Sequence, residues 1–270
     1  MNRLIVFVLV LLSSTLSAQE LYVFSEPASN MPAHSISLKQ TAKVLRNRYS
    51  GNTESRHTSE VMWGVNKNLM LHGAATFSDM YSSNLRWESA RAYGKYRFLS
   101  NDGMYSHFRM SAFAEASVSR NNAMYDELSI DGDQGGIQAG IIATQLLHKL
   151  ALSATLGRTE VLQSSRWDKS STLSVPYSAY TYSLSAGYLV LPRKYTSYDQ
   201  TNLNLYVELL GQQTTGVSKY YIDLAPAVQL IFSSTAKLNA GYRFQLGSDM
   251  RRMAANSWLL SFEWTFLNVK

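Results

Sequence analysis

The sequence predicts an all-β fold: an antiparallel up-and-down β-barrel of about twelve strands that crosses a membrane. Three observations predict it. Nearly every segment alternates apolar and polar residues with a period of two. The chain opens with an export signal. The connections between segments alternate between short and long.

The alternation is clearest over residues 257–266. Trp258, Leu260, Phe262, Trp264 and Phe266 form one apolar, aromatic face, and Leu259, Ser261, Glu263 and Thr265 form a mostly polar one. A period of two sends successive side chains to opposite faces of a strand. A soluble sheet can bury one such face. Repetition in almost every segment, with aromatics near the strand ends, instead fits lipid outside and water or polar groups inside.

At the start, Arg3 precedes nine apolar residues, Leu4 to Leu12, and then Ser13, Ser14, Ser17 and Ala18. This pattern over residues 1–18 reads as a secretory signal peptide with cleavage after Ala18, because nine residues cannot span a bilayer. The sequence has no cysteine, which excludes a lipid-modified N-terminus and any disulfide. No later stretch reaches the ~20 apolar residues of a helical span. The 17 tyrosines and five tryptophans are enough for aromatic girdles at both interfaces. The net charge of +6 is scattered along the chain rather than clustered, so a nucleic-acid partner is not expected. The expected location is the bacterial outer membrane, with its lipid as the surrounding partner.

Residues 19–34 contain Pro27 and Pro32 and have no period, so they are expected as a periplasmic lead-in or a plug in the barrel mouth. The barrel would occupy residues 35–270. Its first segment, 35–44, turns Ile36, Leu38, Ala42 and Val44 outward and Lys39, Thr41 and Lys43 inward. The second, 60–65, turns Val61, Trp63 and Val65 outward. A short turn at 66–68 leads to the third, 69–78, with Leu69, Leu71, Gly73, Ala75 and Phe77 outward. The fourth, 87–99, places Ala90, Ala92, Gly94, Tyr96 and Phe98 outside and Arg91, Tyr93, Lys95 and Arg97 inside. Asp102-Gly103 then marks a hairpin turn.

The fifth segment, 105–118, alternates most regularly, with Phe108 to Val118 outward at every second position and His107, Arg109, Ser111, Glu115 and Ser117 inward. The sixth and seventh, 136–147 and 150–159, join through His148-Lys149. The eighth, 179–191, shows Tyr180, Tyr182, Leu184, Ala186, Tyr188 and Val190 to lipid. The ninth, 203–212, has Asn204, Tyr206 and Glu208 inward. The tenth, 220–232, contains Pro226, which calls for a bulge or bend. The eleventh, 236–246, has Lys237, Asn239, Arg243 and Gln245 inward, and residues 257–266 complete the count.

Short connections are expected at 66–68, 100–104, 148–149 and 233–234. Long ones are expected at 45–59, 79–86, 119–135, 160–178, 213–219 and 247–256. Bacterial barrels carry short periplasmic turns and longer extracellular loops, so both chain ends fall in the periplasm and the strand number is even. Residues 192–202 are the exception, a turn of loop length, and ten or fourteen strands also fit.

The inward face carries Lys39, Lys43, Arg91, Lys95, Arg97, Arg109, Lys237 and Arg243, together with Glu60, Glu115, Glu208, Asp223 and Glu263. Two readings follow and are compatible. In one, cross-strand pairs such as Arg97 or Arg109 with Glu115, and Arg243 with Glu263, satisfy a closed structural lumen. In the other, a ladder of Arg91, Lys95, Arg97 and Arg109 lines a path that favours anionic or zwitterionic solutes. A hydrolase would need a histidine within reach of a serine. His107 beside Ser106 and Ser111, and His72 beside Thr76 and Ser78, have the proximity but no serine-containing signature. Asp126, Glu127, Asp131 and Asp133 lack the spacing of a calcium loop, and no metal or cofactor is expected.

Met31-Pro32, followed by the strand–turn–strand Glu60-Val61-Met62-Trp63-Gly64-Val65-Asn66-Lys67-Asn68-Leu69-Met70-Leu71, resembles small bacterial outer-membrane barrels of the porin-like or transporter type, the meta-pathway phenol-degradation type among them. The resemblance implies a barrel that passes small solutes and is inserted by the barrel assembly machinery. The aromatic signal of the last strand is displaced here by the four residues Leu267 to Lys270. Passage of small hydrophilic solutes, anionic ones among them, is the leading expectation. A closed barrel acting through its long loops is the second, and an outer-membrane hydrolase the third.

Overall fold

A computed structural model describes residues 22–163, 175–194 and 199–269. The expected signal peptide lies outside these residues, as do parts of the long connections at 160–178 and 192–202. Among the described residues twelve strands form one closed antiparallel barrel. They are β1 (Ser35–Arg46), β2 (Thr53–Gly64), β3 (Leu69–Ser78), β4 (Arg86–Asp102), β5 (Ser106–Ser119), β6 (Gly136–Leu147), β7 (Leu150–Val161), β8 (Ser178–Leu191), β9 (Asn202–Thr214), β10 (Tyr220–Phe232), β11 (Ala236–Ser248) and β12 (Asn256–Phe266). Each strand pairs with its sequence neighbours, and β12 returns to pair with β1 from Ile36↔Phe266 to Leu45↔Ser257. Closure leaves no open edge, so the ladder satisfies backbone groups that hydrocarbon could not.

The outward face is apolar, with two aromatic rings. Trp63, Tyr96, Phe98, Tyr188, Trp264 and Phe266 are exposed toward the short turns, and Phe77, Trp87, Tyr180, Tyr220 and Trp258 toward the long loops. Aromatic girdles of this kind settle at the two membrane interfaces. Both described chain ends lie on the short-turn side, where the Val269 amide donates to the His34 carbonyl at 2.8 Å. That side is periplasmic by the loop-length rule.

Two local expectations are corrected. The second strand starts at Thr53, not at residue 60, and pairs with β1 as far as Arg46↔Thr53. Its upper half points Ser55, His57 and Ser59 outward, so the apolar half of the pattern is missing while the inward half, with buried Arg56 and Thr58, continues. The connection from β1 to β2 is therefore a tight turn around Gly51, whose φ is 75°. In β10 the register shift falls at Ile222/Asp223 and not at Pro226. Pro226 faces outward and pairs with Val207 on β9, with no partner on β11, which suits a residue that lacks an N–H.

Two segments enter the barrel. Residues 22–33 cross the periplasmic half, and the β5–β6 connection, residues 120–135, folds inward over the extracellular half. Gly64 and Gly241 make room for the first. A Cβ on Gly64 would collide with the Pro32 carbonyl, and one on Gly241 with the Phe24 ring.

Candidate functional site

The inward residues of the periplasmic half hold the N-terminal segment in place. Glu208 Oε1 accepts the amides of Val23 and Phe24, each at 2.9 Å. The Ala28 amide donates to Thr144 Oγ1 at 2.9 Å, and Ser111 Oγ donates to the Ala28 carbonyl at 2.6 Å. Lys95 Nζ lies 2.8 Å from both Glu26 Oε2 and the Pro27 carbonyl, and its side chain is fully buried. Apolar contacts add to this: Tyr22 packs on Tyr206, Ala28 on Phe113 and Ile142, and Met31 on Met62 and Met70. The segment has no period because its environment changes from one residue to the next.

The β5–β6 connection forms the opposite cover. The Leu128 amide donates to Gln212 Oε1 at 2.8 Å, and Gln212 Nε2 donates back to the Leu128 carbonyl at 2.7 Å. Buried Arg56 grips Glu88 at 2.8 Å, Asp133 at 2.6 Å and the Asp131 carbonyl at 2.9 Å. Arg243 and Arg252 share Asp223 and Glu127 at 2.6–3.1 Å. Asp126 is taken by Arg251 at 2.9 Å and Lys219 at 2.6 Å. Burial pushes the Asp126 carboxyl up, but the hydrogen bonds from Arg251 and Lys219 outweigh it and hold the pKa at about 2. Glu127 behaves alike: burial raises it, and Arg252 and Arg243 bring it down to about 2. The four loop carboxylates considered for calcium thus serve as anchors to arginine and lysine.

Between the two covers lies a chamber of about 430 Å³. Its lining includes six basic residues, Lys39, Lys43, Arg56, Arg91, Arg243 and Arg252, and six acidic ones, Glu26, Glu60, Glu115, Glu127, Asp131 and Asp133. Of the residues expected to line the lumen, Lys39, Lys43, Glu60, Arg91, Glu115 and Arg243 reach this chamber. Lys95 and Glu208 instead bind the N-terminal segment. Asp223 stands behind Arg243 and Arg252. Lys237 and Glu263 pair with each other at 3.0 Å on the barrel wall.

The expected ladder of Arg91, Lys95, Arg97 and Arg109 is not continuous. Arg97 donates to the Lys67 carbonyl at 2.7 Å, and Arg109 pairs with Asp102 at 2.9 Å, both at the periplasmic rim. The expected ion pairs are also replaced. Glu115 meets Arg91 at 3.0 Å rather than Arg97 or Arg109, and Arg243 meets Asp223 and Glu127 rather than Glu263. Inward orientation can be read from a period of two, but depth depends on register and strand stagger, which separate residues close in sequence. Arg56, Glu88, Arg251 and Arg252 were not anticipated. A usable signal was present: the acidic run in the β5–β6 connection has its complement in Arg251-Arg252 of the β11–β12 connection. Of the two histidines considered for catalysis, His72 Nδ1 sits 2.9 Å from Glu60, and His107 Nδ1 2.8 Å from Asp102.

No family model matches the sequence, and no curated protein does so. Solved structures match in fold. An outer membrane channel from Pseudomonas putida F1 superposes with a TM-score of 0.57 at 12% identity, covering 91% of this chain and 100% of its own. The KdgM porin gives 0.48 at 7% identity, covering 85% and 99%. The membrane-facing belt, the closed β1–β12 seam and the first of these superpositions converge: the chain is a twelve-stranded transmembrane β-barrel with the fold of that outer-membrane channel.

Proposed function

We propose that the barrel is a channel for small hydrophilic solutes that present an anionic group, closed at rest by its N-terminal segment and its β5–β6 connection. The observation that carries this reading is the chamber of about 430 Å³ in mid-barrel, walled by charged side chains. A barrel with only a scaffolding role gains nothing from gathering six basic and six acidic groups around one chamber, since buried ion pairs are often no better than apolar packing. The preference for an anion rests on Lys43. It lines the chamber on β1, and its flanking residues in register are Arg56 and Leu259, so neither neighbour supplies a carboxylate.

The second reading is a closed barrel with a surface role. It is favoured by one observation, that both mouths are covered by segments held with buried ion pairs. Single-channel recording of refolded residues 19–270 in a planar bilayer under a salt gradient separates the two. Brief openings with anion preference, reversed or abolished by Lys43→Glu, are expected. A folded barrel that stays silent even after removal of residues 22–33 is the outcome that establishes the closed reading instead.

A further inference from the structure

The chamber walls carry more polar capacity than they use on each other. On one side Lys43 makes no ion pair or hydrogen bond among the described residues. The nearby carboxylates are already engaged, Asp133 by Arg56, Glu127 by Arg243 and Arg252, and Asp131 by Arg91 at 3.5 Å. On another side three carboxylates, Glu115, Asp131 and Glu60, stand 3.0, 3.5 and 3.7 Å from the single guanidinium of Arg91. Asp131 Oδ1 is buried yet accepts no hydrogen bond, and Glu115 Oε1 is met by Arg91 alone among the described residues. Beside them His72 Nε2 and Tyr93 Oη are also buried without a partner, and both residues line the same chamber. His72 is 8% exposed, and its other ring nitrogen is fixed by Glu60, so the open nitrogen is held in place.

A buried polar atom without a partner is costly, so a cavity that gathers several is shaped for something that completes them. A simple anion would satisfy Lys43 and be repelled by the three carboxylates around Arg91. A simple cation would meet the reverse. We infer that the chamber is a binding compartment for a small zwitterion, whose carboxylate meets Lys43 and whose ammonium meets Glu115 and Asp131. The volume falls within the range of pockets that enclose small ligands. The inference rests on reading the lumen as a solute compartment and narrows the solute class.

Three linear probes of matched length test it: 5-aminopentanoate, glutarate and 1,5-diaminopentane, titrated calorimetrically into refolded residues 19–270 in detergent. The zwitterion is expected to bind at least about tenfold more tightly than either symmetric probe, a difference of about 1.4 kcal/mol. Lys43→Met and Glu115→Gln, each checked for the heat-modifiable gel mobility of a folded barrel, are expected to lose that preference. Glutarate binding as tightly as 5-aminopentanoate overturns the inference in favour of a plain anion site. Binding by none of the three overturns it in favour of a water-filled chamber. The probe comparison uses the unaltered chain, so it stands even where a variant fails to fold. Equilibrium binding does not require passage. A protein that binds the zwitterion but never conducts refutes the channel and leaves this inference standing, and an open channel that binds none of the probes does the opposite.

Discussion

Lys95 is fully buried, and its charge is met by Glu26 Oε2 and the Pro27 carbonyl, each at 2.8 Å. Glu26 is 38% exposed and borders the chamber. The two ends of this pair therefore differ in what their loss leaves behind. Removing Lys95 leaves a carboxylate that water can reach. Removing Glu26 leaves an ammonium without access to solvent, and stranding a buried charge costs about 3–5 kcal/mol. Glu26→Ala is thus expected to destabilise the folded barrel by about 3 kcal/mol, and Lys95→Met by roughly half as much, read from urea unfolding midpoints in lipid vesicles. Equal losses, or a larger loss for Lys95→Met, would refute the argument. Orientation at this scale was legible in the sequence, since Lys95 and Glu208 alternate with lipid-facing neighbours. Their partners were not, because residues 22–33 follow no period and their contacts lie 68 to 185 positions away in sequence.

The β5–β6 connection illustrates what an element can hide. Its sequence reads as a solvated acidic loop, yet Asp126 and Gln134 are fully buried and its carboxylates are spent on Arg56, Arg91, Arg243, Arg251 and Arg252. A loop sequence does not say whether the segment faces solvent or folds back, because that depends on cations elsewhere on the barrel. The lock has a definite pH dependence. Asp126 and Glu127 have folded pKa values of about 2, below the usual carboxylate range. A depressed pKa adds stability that is complete above the ordinary value, near 4, and is lost as pH falls toward the folded value. The connection should stay locked at pH 5 and loosen between about pH 4 and pH 2. The chain lacks cysteine, so a spin label on Met124→Cys, an exposed position in this connection, reports on it alone. A rise in label mobility confined to that window is expected, and Arg251→Gln should move its onset to higher pH. Mobility that is flat down to pH 2, or a transition near pH 6, would show that these carboxylates are not the lock.

For the whole molecule, the question is whether the floor can leave without the barrel. The strands are held by backbone ladders around a closed circuit, β1–β12 included, and the N-terminal segment contributes to none of them. Its bonds go mainly to side chains, Glu208, Thr144, Ser111, Ser185, Lys95 and Arg109, with one to the Lys67 carbonyl. At about 1 kcal/mol net for each such bond, withdrawal of the segment is a local event well below global unfolding. Removing residues 22–33 should therefore leave a folded, heat-modifiable barrel and connect the chamber to the periplasm. Single-channel conductance is expected to rise severalfold, and the full-length protein's brief openings to become long ones. Gly241→Leu tests the same idea without shortening the chain. The added side chain takes the space of the Phe24 ring and should displace the segment from β11. If both variants fold and conduct no more than the parent, the β5–β6 connection alone sets the resistance of the path, and the N-terminal segment is a structural brace rather than a gate. If both conduct more, to a similar degree, the segment is the gate, and whatever draws it toward the periplasm controls entry to the chamber.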